Sequence, residues 1–276
     1  MAFIDVSIDK RVAEVTLNRP EKLNAMHEVM LDEFDAAIAS LRDDRSVNCV
    51  LIKGAGRAFS VGYDLRGIGE NSTISLMDDL GRLIKHTDSW LKVFDFPKPV
   101  IAAVHGYCMG GAAFMASMTD MTVVAEDLQV AWARVPLGGG WMTPIFCHLV
   151  GPRKAKELSC IRGSFLTGIQ AADLGWANYA LPAEQVYDKA RQLAEQTART
   201  PLDLLMINKR AANQAMERAG FRDAITSGIS FNNIAHFTDG AQLVRSKLRE
   251  LGIQGVIEWF DAGGTLDDSP ELSSHS

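Results

Sequence analysis

Two glycine-punctuated segments carry the groups best suited to stabilising a developing negative charge. One covers residues 56–64 (GRAFSVGYD); the other, residues 105–111 (HGYCMGG), follows the apolar run 99–104 and leads into the apolar stretch 112–118. Backbone N–H groups in such turns are rigid donors that do not titrate near neutral pH. A helix opening at Gly110-Gly111 would add its dipole to them. The same glycines equally well permit a tight turn and nothing more. Among titratable groups, His86, His105 and His148 occupy the central region, where a lone histidine is more often a satisfied structural residue than a base. Cys49, Cys108, Cys147 and Cys160 form no CxxC pair, and none adjoins a His-Asp pair, so neither metal-ligand spacing nor a cysteine nucleophile is indicated.

The elements that must position these loops can be read from periodicity. Residues 2–8 and 12–17 are short and β-branched around Asp9-Lys10-Arg11, a hairpin pattern. Asn18-Arg19-Pro20-Glu21 ends the second strand, and Asn24 is expected to cap a helix whose stripe is Met30, Leu31, Phe34, Ala37, Ile38 and Leu41. Residues 47–54 and 99–105 are apolar enough to be strands buried on both faces, and residues 74–94 read as helical. Short strands are expected at 121–125 and 128–132, and a helix at 155–160. From Ala183 the pattern turns helical, over 186–199, 202–219 and 221–251. Strands alternating with helices, then helices alone, predict an α/β body (residues 1–195) and a helical C-terminal part (196–260). The stretch 261–276 (DAGGTLDDSPELSSHS), rich in Gly, Ser and acid, is expected to be a disordered tail.

Bulk properties narrow the function classes. The chain has 276 residues, is 47% hydrophobic and carries a net charge of −6 without charge blocks, so it can bury a large core and lacks a basic footprint for nucleic acid. No run of about 18 uncharged apolar residues predicts a membrane span. The opening residues mix Asp5, Asp9 and Lys10 among apolar ones, unlike a signal peptide, and the sparse cysteines suit reduced thiols, so a cytoplasmic setting is expected.

Several motifs in order resemble the crotonase (enoyl-CoA hydratase/isomerase) superfamily. Leu17-Asn18-Arg19-Pro20 with Leu23-Asn24-Ala25-Met26 is similar to its N-terminal motif, and Arg57-Ala58-Phe59-Ser60-Val61-Gly62-Tyr63-Asp64-Leu65 to its first oxyanion loop. His105-Gly106-Tyr107-Cys108-Met109-Gly110-Gly111 is similar to the second. Met118-Thr119-Asp120 and Val150-Gly151-Pro152-Arg153-Lys154-Ala155 match later positions. The resemblance covers roughly residues 3–250. It implies a spiral of ββα turns, a C-terminal helical region used in homotrimers that often pair into hexamers, and an acyl-coenzyme A thioester substrate with no permanently bound cofactor or metal. It places the chain in fatty or aromatic acid metabolism. It assigns the oxyanion-hole amides to Tyr63 and Gly111 and coenzyme binding to Lys22, Leu23, Asp64, Leu65 and Arg66, with Asp64 better suited to bracing its loop.

One departure stands out. Hydration in this family uses two glutamates as general acid and base, and their positions fall here at Phe114 and Arg134. Phenylalanine has no proton to give, and arginine stays protonated. Hydrolysis, C–C cleavage or decarboxylation thus becomes as reasonable as hydration, and a catalytically inactive acyl-CoA-binding homologue is the alternative. Arg134 could hold a substrate carboxylate or a second oxyanion, or form a structural ion pair with Glu126 or Asp120. Tyr63, Phe114, Trp132 and Trp141 could wall a pocket for a ring-bearing acyl group, with His86 on the helix over the acyl end.

Overall fold

The structure, a computed structural model, describes residues 2–65, 74–132 and 134–265. The chain opens with the hairpin β1 (Ile4–Asp9) and β2 (Val12–Leu17), whose turn residues Lys10 and Arg11 both take positive φ. There follow α1 (Glu28–Arg42), β3 (Cys49–Gly54), α2 (Leu76–Phe94), β4 (Val100–Val104), β5 (Tyr107–Met109), α3 (Gly111–Ser117), β6 (Met121–Ala125) and β7 (Gln129–Ala131). The remaining elements are α4 (Thr143–Leu149), α5 (Pro152–Cys160), β8 (Leu166–Thr167), α6 (Gly168–Asp173), β9 (Tyr179–Leu181), α7 (Ala183–Ala198), α8 (Leu202–Arg218), α9 (Phe221–His236) and α10 (Asp239–Asp261).

Six strands form one sheet in the order β1-β2-β3-β4-β6-β9, parallel apart from the opening hairpin, and β5-β7-β8 form a second. Successive strands β4 and β5, and then β6 and β7, go to different sheets. Each β-β-α repeat therefore advances a spiral, as the motifs implied. The parallel strands read as continuous apolar runs because both faces are covered: β3 and β4 bury Val50, Leu51, Ile52, Val100, Ile101 and Ala102, while α7 lies across β3, β4 and β6.

Three local expectations are corrected. Asn24 does not cap α1. It sits at φ 55° after a short 3₁₀ turn, fully buried, donating to the carbonyls of Ala55, Ala58 and Phe59. The cap is His27, whose Nδ1 accepts from the Met30 amide at 3.1 Å. The expected helix over 221–251 is two helices, because the Thr238 hydroxyl caps a fresh start by accepting from the Ala241 amide. The boundary expected at Asp261 is the last residue of α10, and residues 266–276 of the expected tail lie outside the described residues.

Candidate active site

The two glycine loops are zipped together. Phe59 N donates to the His105 carbonyl (2.8 Å), Ser60 N to Tyr107 O (3.0 Å) and Met109 N to Ser60 O (3.1 Å), so residues 59–61 run as a short parallel strand beside 105–109. Residues 62–64 then pair with Met26 on their other side. Gly62 is required at the joint: its φ is +86°, and a Cβ there would collide with the Met109 carbonyl. The outcome is that Tyr63 and Gly111 face each other across the seam. Neither backbone N–H has an acceptor among the described residues. Gly111 opens α3, so its amide is one of those that a helix start leaves unpaired.

Both residues line a cavity of about 1210 Å³, bounded also by Met26, Glu28, Asp64, Leu65, His86, Trp132 and residues 135–142. A smaller cavity of about 580 Å³, between the β1–β2 turn and the α7–α8 junction, holds none of the expected site residues.

The Tyr63 ring shapes the floor. It stacks on His86 with centroids 4.7 Å apart and on Trp141 at 5.7 Å. It also lies so close to Gly111 that a Cβ there would be 2.5 Å from its Cε2. Its hydroxyl accepts from the indole N–H of the buried Trp90 at 2.9 Å, and burial pushes its pKa up, so it is turned into the core as a neutral phenol. His86 is buried, with Nε2 2.8 Å from Glu28 Oε1. Burial lowers its pKa, and the favourable contact with Glu28 does not offset this, so the imidazole is neutral at neutral pH. Trp141 donates to Thr87 Oγ1 (3.1 Å), which ties the wall made by residues 138–142 to α2.

The structure brings Tyr63, Gly111, Trp132, Trp141, His86, Asp64 and Leu65 to one cavity. It does not bring the other expected residues there. Phe114 is wholly buried behind Trp141, edge-on at 5.3 Å, as a core residue. Arg134 turns to solvent and pairs with Asp261 at 3.3 Å, beside an Arg162–Asp261 contact of 2.7 Å. Asp120, one of its two expected partners, is instead taken by Lys209 at 2.7 Å. Asp64 accepts from the buried Arg19 at 2.8 Å, an ion pair that braces the loop against the turn holding Lys22 and Leu23. Lys22 is exposed, and Leu23 is held by the Val61 amide donating to its carbonyl (3.1 Å). Arg66 lies outside the described residues. Sequence reasoning missed Glu28, Asp79, Arg82 and His236, all of which line the cavity. The spacing of Asp79, Leu83 and His86 on one helix face was the available signal for Asp79. Nothing in the sequence pairs it with His236, 157 residues away.

A ββα spiral whose two glycine loops meet at one seam defines a crotonase-type fold. The sequence profile of the Enoyl-CoA hydratase/isomerase family matches residues 7–238, and the chain belongs to that family. It is similar to the 1,2-epoxyphenylacetyl-CoA isomerase of Escherichia coli K12, 31% identical over 223 residues, or 78% of this chain and 83% of that protein. It is similar, too, to the mitochondrial enoyl-CoA hydratase of Pongo abelii, 30% identical over 75% of this chain and 70% of the other. The crystal structure of an enoyl-CoA hydratase/isomerase from Xanthobacter autotrophicus Py2 superposes with a TM-score of 0.89 at 30% identity, covering 95% of this chain and 98% of that one.

Proposed function

We propose that the protein is an enzyme that converts an acyl-CoA thioester through an enolate-type oxyanion held by the amides of Tyr63 and Gly111. The observation that carries this reading is that Tyr63 and Gly111 meet at the loop seam, both line the cavity, and neither amide has an acceptor among the described residues. As the thioester becomes an enolate or a tetrahedral adduct, charge moves onto its carbonyl oxygen. Two fixed donors aimed at that oxygen then stabilise that state more than the ground state. Removing one such donor in other enzymes costs roughly 3–4 kcal/mol of barrier.

The proton carrier is assigned to His86, not to the two usual glutamate positions. Phe114 is packed into the core and Arg134 is engaged with Asp261, so neither stands where a proton must move. His86 is neutral, adjoins the oxyanion loop through Tyr63 and is held by Glu28, which suits a base. Hydrolysis, C–C cleavage or decarboxylation is therefore as well supported as hydration. Arg134 keeps a binding role only in the event that Asp261 releases it. The coenzyme lies along Lys22, Leu23, Asp64, Leu65 and Arg66, with no permanent cofactor. The four free cysteines agree with a cytoplasmic setting.

A second reading, an acyl-CoA binder without turnover, is favoured by the apolar, buried Phe114. Mass spectrometry of crotonyl-, β-ketoacyl-, malonyl-type and aromatic enoyl-CoA incubated with the protein separates the two. Conversion of a keto or carboxylated thioester supports the enzyme. Tight binding with silence across the panel supports the binder.

A further inference from the structure

Past the oxyanion loops the cavity continues along α2 towards that helix's N-terminal end, and there its wall becomes polar. Asp79 and His86 are seven residues apart on one face, so at about 1.5 Å per residue Asp79 stands roughly 10 Å further along than the imidazole stacked on Tyr63. The Asp79 side chain is only 1% exposed. It accepts from Arg82 at 2.6 Å and from Asn233 at 3.0 Å, and it contacts His236 Nδ1 at 2.8 Å. Burial alone would raise its pKa, but these contacts outweigh that and hold the carboxyl well below its usual range, fully ionised.

Its single negative charge is matched by Arg82. From α10, Arg245 brings a further guanidinium to the same wall, donating to the His236 carbonyl at 2.7 Å, and no carboxylate pairs with it among the described residues. Burial lowers the Arg245 pKa; the pull of Asp79 opposes it without offsetting it, and the charge of Arg82 adds a smaller push in the same direction as burial. The far end of the cavity thus holds more cation than anion. Glycine leaves this wall open: a Cβ on Gly138 would sit 2.7 Å from His236 Nε2 and 2.4 Å from Asn232 Oδ1, so a larger residue there would cover the imidazole edge. An apolar acyl tail lying here would desolvate Arg245 while supplying no countercharge, which is costly.

We propose that this end of the cavity binds a carboxylate at the far end of the acyl chain, held by Arg245 together with Arg82, so that the substrate is the CoA thioester of a dicarboxylic acid. The proposal rests on reading the cavity as an acyl-CoA site. An extended chain advances about 1.2 Å per bond, and the guanidinium takes up the last ~3 Å, so an acid of about six to eight carbons spans the distance. Planar guanidinium groups suit this role because they engage a carboxylate through two parallel hydrogen bonds.

The test is calorimetric titration of the full-length protein with three ligands: free CoA, the saturated six-carbon dicarboxyl-CoA and the six-carbon monocarboxyl-CoA. The wild type is expected to bind the dicarboxyl thioester at least tenfold more tightly than the monocarboxyl one. Arg245→Gln should shrink that ratio to within about twofold, and Arg245→Lys should retain part of it. Equal affinity of the two thioesters in the wild type, with CoA still bound, overturns the carboxylate site and leaves the coenzyme site standing. Equal weakening of all three ligands by Arg245→Gln assigns the guanidinium to the coenzyme phosphates and likewise overturns it. Failure of every ligand to bind removes the thioester reading and this inference with it.

Discussion

Tyr63 carries two separable roles. Its amide is the proposed oxyanion donor, while its ring stacks on His86 and Trp141 and its hydroxyl is anchored by Trp90. The backbone group is thereby held in place by its own anchored side chain. His86, against that ring, is the residue most exposed to experiment. His86→Gln keeps a hydrogen bond to Glu28 but cannot take a proton, and is predicted to lower kcat about 100-fold with a much smaller change in KM. Since burial sets the His86 pKa below its ordinary 6.5, wild-type kcat should hold through neutral pH and fall only below 6.5. A flat acid limb in the pH–rate profile would assign the proton to another group.

At the scale of elements, the C-terminal helices are tied to the spiral by α9, which packs on α2 and α4 and buries Phe221 and Ile225, and by a buried lysine on α8. Lys209 on α8 is buried and donates to Asp120 (2.7 Å), Lys98 O (3.2 Å) and Val93 O (3.3 Å), pinning the helix where β4 and β6 begin. Lys209→Met would take the cation from Asp120, whose side chain is 22% exposed and still accepts from the Val100 amide, and would leave the Lys98 and Val93 carbonyls short of a donor. The expected loss is about 1–2 kcal/mol of unfolding free energy, read as a lower denaturant midpoint at constant slope. Much of this architecture was legible in the residues. The apolar runs at 47–54 and 99–105 became β3 and β4, and the stripe from Met30 to Leu41 became the buried face of α1. Glycine marked the two loops, because close backbone approach at Gly62 leaves a sequence trace. What was not legible depended on tertiary pairing. Asn24 resembles a cap until its buried amide is seen bridging three carbonyls, and the Phe237–Thr238 break is invisible to helical periodicity. Arg134 looked like a pocket residue because only the fold reveals Asp261 beside it. The Asp79–His236 contact joins α2 to α9 and has no local signature at all.

For the whole molecule, charge and exposed surface each give an expectation. Between the depressed folded pKa of His86 and 6.5 the unfolded chain binds more protons, and so does it for Asp79 below the ordinary 3.8. Stability should therefore fall as pH drops through each window, first gently below 6.5 and again below about 4, in a pH series of thermal midpoints. On the outside, α8 leaves Leu204, Met206 and Ile207 exposed, and α9 leaves Phe231 and Ile234 at 59% and 61% exposure. Such side chains on one helical layer fit the trimer or hexamer expected for this family. Sedimentation equilibrium should return three or six times the 30.1 kDa chain mass, and Ile207→Glu should shift it towards the monomer. The central claim, two amides on one thioester oxygen, is tested most directly by difference infrared spectroscopy of a saturated acyl-CoA carrying a ¹³C-labelled thioester carbonyl. The account predicts that the carbonyl stretch moves to lower frequency on binding, as two hydrogen bonds weaken the C=O bond. A bound thioester whose stretch stays at its value in water would contradict it.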